Sequence, residues 1–372
     1  MITLDQVELR HVKVPTKAPF RTSFGTLPDK ETVLVTAWSD GLAGYGESVA
    51  MPLPFYSEET CETVWYLLKT FAIPQLLGHA LQHPDEVSRR LGWIRRNAMA
   101  ISALEGAVWD LYARAQGCSL ASLLGATRRE IEVGVSIGIE PTVDRVLANV
   151  ERFLAEGYRK IKIKIEPGFD LEPIRAIRER FGSEVPLMAD ANSAYTLDHL
   201  PVFKEIDAYR LLMIEQPLAH DDIVDHAKLQ RELATPICLD ESIHSAEDAR
   251  KAIELGSCRT INIKIGRVGG LTRAKAIHDL CARHGVPVWC GGMLELGIGR
   301  AHNIAIASLP NFSIAGDTSA SSRSFERDIV TPEIAFTRPG LLAVPTGPGI
   351  GYEINPDRLE TFTLRKETFR SS

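Results

Sequence analysis

The sequence predicts an α/β fold built around a closed parallel barrel. Three observations predict it. From about residue 130 one unit repeats: short apolar strand, polar residue, loop, helix. Eight strand segments can be read in that stretch, with helix-patterned segments between most of them. The charged residues closing the middle strands are Lys164, Asp190, Glu215, Asp240 and Lys264, at intervals of 26, 25, 25 and 24 residues, about one βα unit each.

The chain opens as β and then α. VELRHVKV and TVLVTAWSD read as strands, and the second runs into a Gly-rich turn, DGLAGYGE. Between them PTKAPFRTSFGTLPDKE is polar, with Pro and Gly, and is expected to be a mobile loop. A helix is expected from Ser57 as N-cap, with Glu58 and Glu59 in its first turn. A longer one is expected over 85–116, where Ala98, Ile101, Leu104, Val108 and Leu111 step by three or four. The eight barrel strands are IEVGVSIGI, YRKIKIKIE, VPLMADAN, RLLMIEQPL, TPICLDES, RTINIKIG, VPVWCGG and FSIAGD. Helices are expected at 142–156, ended by Gly157, and at 245–255, where Ser245 and Asp248 resemble a capping box. The tail, RPGLLAVPTGPGIGYEI, is expected to fold back onto the N-terminal layer.

Bulk properties narrow the function. A chain of 372 residues with 45% hydrophobic content can bury a sizeable core. Net charge is −6 and no basic run occurs, which argues against nucleic acid or an anionic membrane as partner. No apolar run reaches the roughly 20 residues a membrane helix needs, and the N-terminus lacks a signal peptide's apolar core. Six scattered cysteines without a C-x-x-C pair read as reduced thiols of a cytoplasmic protein.

In GYRKIKIKIEPG, Lys160, Lys162 and Lys164 alternate with isoleucines and so share one face of a strand. Helices cover the outer face of such a barrel, so the lysine stripe points inward. Active sites of parallel barrels sit at the C-terminal strand ends, which puts the five closing residues on one rim. Asp190, Glu215 and Asp240 would be neighbours there, and three converging carboxylates call for a hard divalent cation such as Mg²⁺. Lys164 and Lys264, on the second and sixth of eight strands, would face each other across the barrel. Such a set suits enolisation of a carboxylate. The cation stabilises the charge that develops, and a neutral lysine removes the α-proton. Lys162 is placed to lower the pKa of Lys164, and Lys160 is either structural or reaches the bottom face. Asn192 either supports the ligands or makes a turn, and Glu241 with Ser242 either orients Asp240 or caps the next helix. Arg267 either holds down the pKa of Lys264, binds an anionic tail or is a surface charge. His302 is expected to be structural.

The segments KIKIE, DANSAY, IEQPL, CLDESI, NIKIGRVGGLT and WCGGMLELGIGRAHN resemble the muconate-lactonising subgroup of the enolase superfamily, and within it the o-succinylbenzoate synthase/N-succinylamino acid racemase (N-acylamino acid racemase) group. The resemblance implies a (β/α)₇β barrel over 128–321 under an α+β capping domain made by 1–127 and the returning segment 322–372. It implies Mg²⁺, replaceable by Mn²⁺, on Asp190, Glu215 and Asp240, and Lys164 and Lys264 as the acid–base pair. It assigns Phe20, Met51, Ser136, Gly291 and Met293 to the substrate pocket, and Arg267 matches an arginine of racemase-active members. A lyase or isomerase acting on a small carboxylate is implied, as a homo-oligomer, dimer or octamer. Dipeptide epimerases usually carry D-x-D on the eighth strand, whereas SIAGDTSA offers Asp317 alone. Muconate cycloisomerase and a noncatalytic metal-binding scaffold are the remaining alternatives.

Overall fold

The computed structural model describes residues 1–22 and 25–371, with the side chains of residues 20–22 outside the description. Phe20 is therefore placed by its backbone alone, opposite Leu27.

The N-terminal sheet is antiparallel, in the order Thr363–Arg370, Gln6–Thr22, Gly25–Ser39, Leu42–Glu47. The polar segment expected to be a loop is instead the outer part of this ribbon. Pairing runs from Gln6 to Pro15, shifts register, and resumes from Phe20 to Thr22. The cross-strand ladder overrides the turn-forming composition there. The expected Gly-rich turn is likewise a turn at Asp40–Gly41 followed by a strand. Gly44 and Gly46 lie inside that strand because helix Ala98–Ala115 packs onto it, and a β-carbon at either position would meet the helix carbonyls of Ala107 or Ala103.

Two helix boundaries differ from expectation. The first helix is Cys61–Leu67, capped reciprocally by Thr60 and Thr63 rather than by Ser57. Glu59 serves another helix: its carboxylate accepts from Met99 N and Ala100 N, 2.8 and 2.9 Å away. The expected helix over 85–116 is two, Asp85–Arg90 and Ala98–Ala115, broken by Gly92 and by Arg96 and Asn97 at φ +56 and +50.

The barrel is a seven-stranded parallel sheet whose spatial order follows the chain: Val135–Ile137, Ile161–Lys164, Leu187–Asp190, Ile214–Glu215, Ile237–Leu239, Thr260–Ile263 and Val288–Cys290. The eighth position is extended chain rather than a regular strand. Single parallel bridges join Phe312 to Val288 and Gly316 to Val133, and Asp317 N donates to Cys290 O at 3.0 Å. These bonds close the ring. Outward residues Ile161 and Ile163 belong to the main hydrophobic core under the helices, whereas Met188, Met213, Cys238 and Trp289 form a separate apolar plug. Helices Val143–Ala155 and Ala246–Leu255 begin at Thr142 and Ser245, whose hydroxyls accept from the third residue of each helix.

The tail divides its contacts. Leu341–Ala343 pairs with Glu130–Glu132, the strand leading into the barrel, because Leu342 and Ile131 bury their side chains there. Ile350 N donates to Asp110 on the long N-terminal helix at 2.7 Å, and Thr363–Arg370 joins the N-terminal sheet. None of the six cysteines is paired. No helix among the described residues is long and apolar enough to cross a membrane.

The two parts are stapled by carboxylates on helix starts. Glu105, fully buried, accepts from Leu271 N and Thr272 N at 2.8 and 2.9 Å, capping Leu271–Arg283. Glu47 does the same for Gly297–Ala307 through Leu296 N and Gly299 N, both at 2.9 Å. Glu105→Ala strips three hydrogen bonds from its carboxylate, the third from Trp109 Nε1 at 2.9 Å, and strands buried donors, so it is expected to lower stability by about 3 kcal/mol or more. Urea unfolding would show it. A midpoint equal to that of the unchanged protein would mean that this staple does not hold the two parts together.

Candidate active site

The three lysines all point into the barrel and are 1%, 4% and 7% exposed for Lys160, Lys162 and Lys164. Strand register sets what each meets, since Lys164 lies opposite Asp190 on the next strand and Asp190 lies opposite Glu215. Lys164 Nζ donates to Asp190 Oδ2 at 2.6 Å and to Asn192 Oδ1 at 2.5 Å. Across the barrel Lys264 Nζ donates to Asp240 Oδ2 at 2.8 Å and to the Tyr56 hydroxyl at 3.1 Å. Two buried ammonium groups thus face one interior from opposite strands, each against its own carboxylate.

Lys162 stands between three carboxylates. Its Nζ is 2.5 Å from Asp317 Oδ2, 3.3 Å from Glu215 Oε2 and 3.4 Å from Asp190 Oδ2. Burial opposes its charge, but Asp317, Glu215 and Asp190 together raise its pKa well above the usual lysine value. Lys160 lies deeper and does not reach the bottom face. Its ammonium sits 3.5 Å from the centre of the Trp289 ring and 3.2 Å from Asp317 Oδ1. Burial, then the neighbouring Lys162 charge, pulls its pKa down despite Asp317.

The three carboxylates divide their partners. Asp190 takes Lys164 and Lys162, Glu215 takes Lys162 and Asn262, and Asp240 takes Lys264 and Arg267. Arg267 is 4% exposed, so it is no surface charge. Its remaining donors go to Ile243 O and Asn262 O, 3.0 and 2.8 Å away. Its charge does oppose that of Lys264. Burial opposes it most strongly, yet Asp240 together with Tyr56 and Glu241 keeps Lys264 well above its usual range. Burial and the neighbouring Asp190 and Asp240 push Glu215 well up. Glu241 is pushed up to about 7, by burial first and Asp240 next. Asn192 Nδ2 donates to Glu241 Oε1 at 2.8 Å, and Glu241 Oε2 is buried without a hydrogen-bond partner.

As these side chains stand, no three His, Cys, Asp or Glu groups among the described residues are poised to share an ion. The acids turn to lysine and arginine instead of converging. The donor set still suits a hard divalent cation. It comprises buried carboxylate oxygens at three consecutive strand ends.

A cavity of about 510 Å³ opens over the site. Lys162, Lys164, Lys264, Asn192 and Ser136 line it, with Met51 and Tyr56 reaching over from the N-terminal part and Met293 from the loop after the seventh strand. Ser136 Oγ is buried there without a hydrogen-bond partner. Gly291 stands outside the lining, and its missing side chain makes room for Asn262, which a β-carbon would strike.

Residues 5–125 match the model for the mandelate racemase/muconate lactonizing enzyme N-terminal domain, and residues 145–358 match the enolase C-terminal domain-like model. The chain belongs to the enolase superfamily. An o-succinylbenzoate synthase of Geobacillus kaustophilus is 59% identical over 99% of this chain and 98% of its own length. An N-succinylamino acid racemase of an Amycolatopsis species is 48% identical, with 98% of each chain covered. A crystal structure of an enolase-superfamily member from Listeria innocua superposes with a TM-score of 0.97 at 43% identity, covering all of both chains. The fold of barrel and terminal capping layer is therefore that of an enolase-superfamily enzyme.

Several residues of this enolase-superfamily site escape sequence reading. Asn262, fully buried, donates to Glu215 Oε1 at 2.7 Å. Its place two residues before Lys264, on the same inward face, was a usable signal. Gln216 accepts from Asp240 N at 2.9 Å and donates to Ser242 Oγ at 2.6 Å, so Ser242 is held by the neighbouring strand's end. Tyr56 comes from an irregular segment with no periodic signature. Asn192, Ser193, Gln216 and Leu294, each just past a strand end, hold φ of +41, +67, +36 and +57. This is backbone strain of the kind found where side chains must be aimed.

Proposed function

We propose that the site removes the α-proton of a carboxylate substrate, and that Lys164 and Lys264 are its two acid–base groups. The observation that carries this reading is the pair of buried lysines on opposite strands of one cavity, each hydrogen-bonded to a carboxylate that holds it in place. Asp190, Glu215 and Asp240 would hold the divalent ion, Mg²⁺ in the first instance. Enolase-superfamily sites are a standing example of lysine or histidine bases beside Mg²⁺. When bound, the ion supplies positive charge against the negative charge that develops on the substrate carboxylate.

In the racemisation of an N-succinylamino acid, one lysine, neutral, takes the α-proton. The C–H electron pair moves into the carboxylate as an enediolate. The opposite ammonium delivers a proton to the other face, so configuration inverts and the two lysines exchange roles. In the o-succinylbenzoate synthase reaction Lys164 takes the ring proton of 2-succinyl-6-hydroxy-2,4-cyclohexadiene-1-carboxylate and returns it to the departing hydroxyl on the same face. Water leaves and the ring becomes aromatic. The Lys264 ammonium stays put and faces the enediolate as a cation. Both reactions begin with the same proton, so one site serves both.

Lys162 is the fixed cation of the site: its three carboxylate partners keep it charged beside Asp190. Arg267 anchors Asp240, and Asn192 links Lys164 to Glu241. Ser136, Met51 and Met293 are the substrate contacts supported by the cavity lining.

Proton NMR of both enantiomers of N-succinylphenylalanine in D₂O with Mg²⁺ tests the reading. The α-proton signal of each enantiomer should disappear, and EDTA should prevent it. Absence of exchange from either enantiomer would sink the two-base site.

A further inference from the structure

Lys160 takes no part in the proton transfer, yet its surroundings are built for it. Its stem runs where Gly134, just before the first barrel strand, leaves room, and a β-carbon there would strike it. Its ammonium lies over the face of Trp289, 3.5 Å from the ring centre. That ring is itself fixed, since Trp289 Nε1 donates to Cys238 Sγ at 3.3 Å within the apolar plug. Among the described residues Asp317 is the one carboxylate within ion-pairing distance of Lys160, at 3.2 Å.

Asp317 is held by backbone and side chain alike. Its N donates to Cys290 O on the seventh strand at 3.0 Å. Gly316 before it accepts from Gly134 N at 2.6 Å and donates to Glu132 O at 3.2 Å, beside the first strand. Of the two carboxylate oxygens, Oδ1 faces Lys160 and Oδ2 faces Lys162, 2.5 Å from its Nζ. The same Nζ is farther from Glu215 Oε2, at 3.3 Å, and from Asp190 Oδ2, at 3.4 Å. An ammonium beside two carboxylate ligands competes with a metal cation for their oxygens, and a nearer third carboxylate weakens that competition. Trp289, Lys160, Asp317 and Lys162 thus form one line of contacts from the plug toward the rim.

We infer that Asp317 is a positioning residue for the ion site: braced by Lys160, it draws the Lys162 ammonium toward the eighth segment and leaves oxygens of Asp190 and Glu215 to a divalent cation. This rests on the proposed ligand set of Asp190, Glu215 and Asp240. Lys160 gains a role without touching substrate, since it holds the back of the carboxylate that holds Lys162.

The test is Mn²⁺ binding to the full chain at neutral pH, followed by the electron paramagnetic resonance signal of the free ion. Asp317→Asn keeps the side chain's shape and removes its charge. Its affinity for Mn²⁺ should fall about tenfold, the scale of one charge-assisted hydrogen bond. Asp317→Glu should recover part of the loss. The loss should run through Lys162, so in a Lys162→Met background the same Asp317→Asn change should cost less than about twofold. A loss of about tenfold in that background too would mean that Asp317 acts on the ion by its charge alone, and would overturn the positioning role. So would an affinity unchanged within about twofold in Asp317→Asn itself. If Asp317→Asn does not fold, the double variant decides against Lys162→Met, because there no buried ammonium is stranded at position 162. Equal affinity supports the role, and a loss of about tenfold ends it. Glu215→Gln keeps two failures apart. If it binds Mn²⁺ as the unchanged protein does, the ligand set is wrong and the inference falls with it. If it loses binding while Asp317→Asn does not, only the positioning role falls.

Discussion

Lys164→Ala is expected to abolish α-proton exchange from one enantiomer of N-succinylphenylalanine while exchange from the other remains measurable. Lys264→Ala should do the reverse. The physical basis is placement. Lys164 ends the second barrel strand and Lys264 follows the sixth, so a substrate between them shows one face to each amine. A positioned general base contributes roughly 10²–10⁴-fold, so the lost exchange should fall by about that factor. Racemisation needs both lysines and should vanish in either variant, and the synthase reaction should fall in both. The variants keep the fold if Asp190 stays satisfied by Lys162, 3.4 Å away, and Asp240 by Arg267. Equal loss of exchange from both enantiomers in each variant would point to one base serving both faces and would end the two-lysine account.

The second large effect is expected from Glu215→Gln. The side chain keeps its shape and its contact with Asn262 but loses its charge. In the unchanged protein, Mg²⁺ should raise the melting temperature, because a ligand bound only to the folded state stabilises it. In Glu215→Gln that rise should be largely lost. Proton exchange should fall about 10³-fold, the scale on which a charge-stabilising group acts. The fold should be retained, since burial first, and Asp190 and Asp240 next, already disfavour a charge on Glu215. A Mg²⁺ response equal to that of the unchanged protein would show that the ion is held elsewhere.

Much of this architecture is legible in the chain. A strand period of two puts Lys160, Lys162 and Lys164 on one face, and a βα unit of about 25 residues sets Asp190, Glu215 and Asp240 in adjacent register. What misled was composition. PTKAPFRTSFGTLPDKE looks like a loop, yet most of it is ribbon, because the opposing strand satisfies its backbone. DGLAGYGE looks like a turn, yet Gly44 and Gly46 are strand residues that admit a helix. The segment from residue 85 is two helices rather than one, because Gly92 and the left-handed Arg96 and Asn97 interrupt it, whereas the apolar period that marks the helix begins only at Ala98.

By itself, then, the sequence determined the barrel, its rim and the residue types that face inward, since these follow from periods read within a few dozen residues. Only the tertiary structure decided the partners. Asp317 meets Lys160 and Lys162 because the eighth segment closes the ring against the first two strands. Tyr56 meets Lys264 and Glu105 meets Leu271 because the capping layer docks on the barrel from far away in the chain. Arg323 and Arg152 share Phe153 for the same reason. Such pairings join segments more than a hundred residues apart, and no local period records which distant charge a buried group will face.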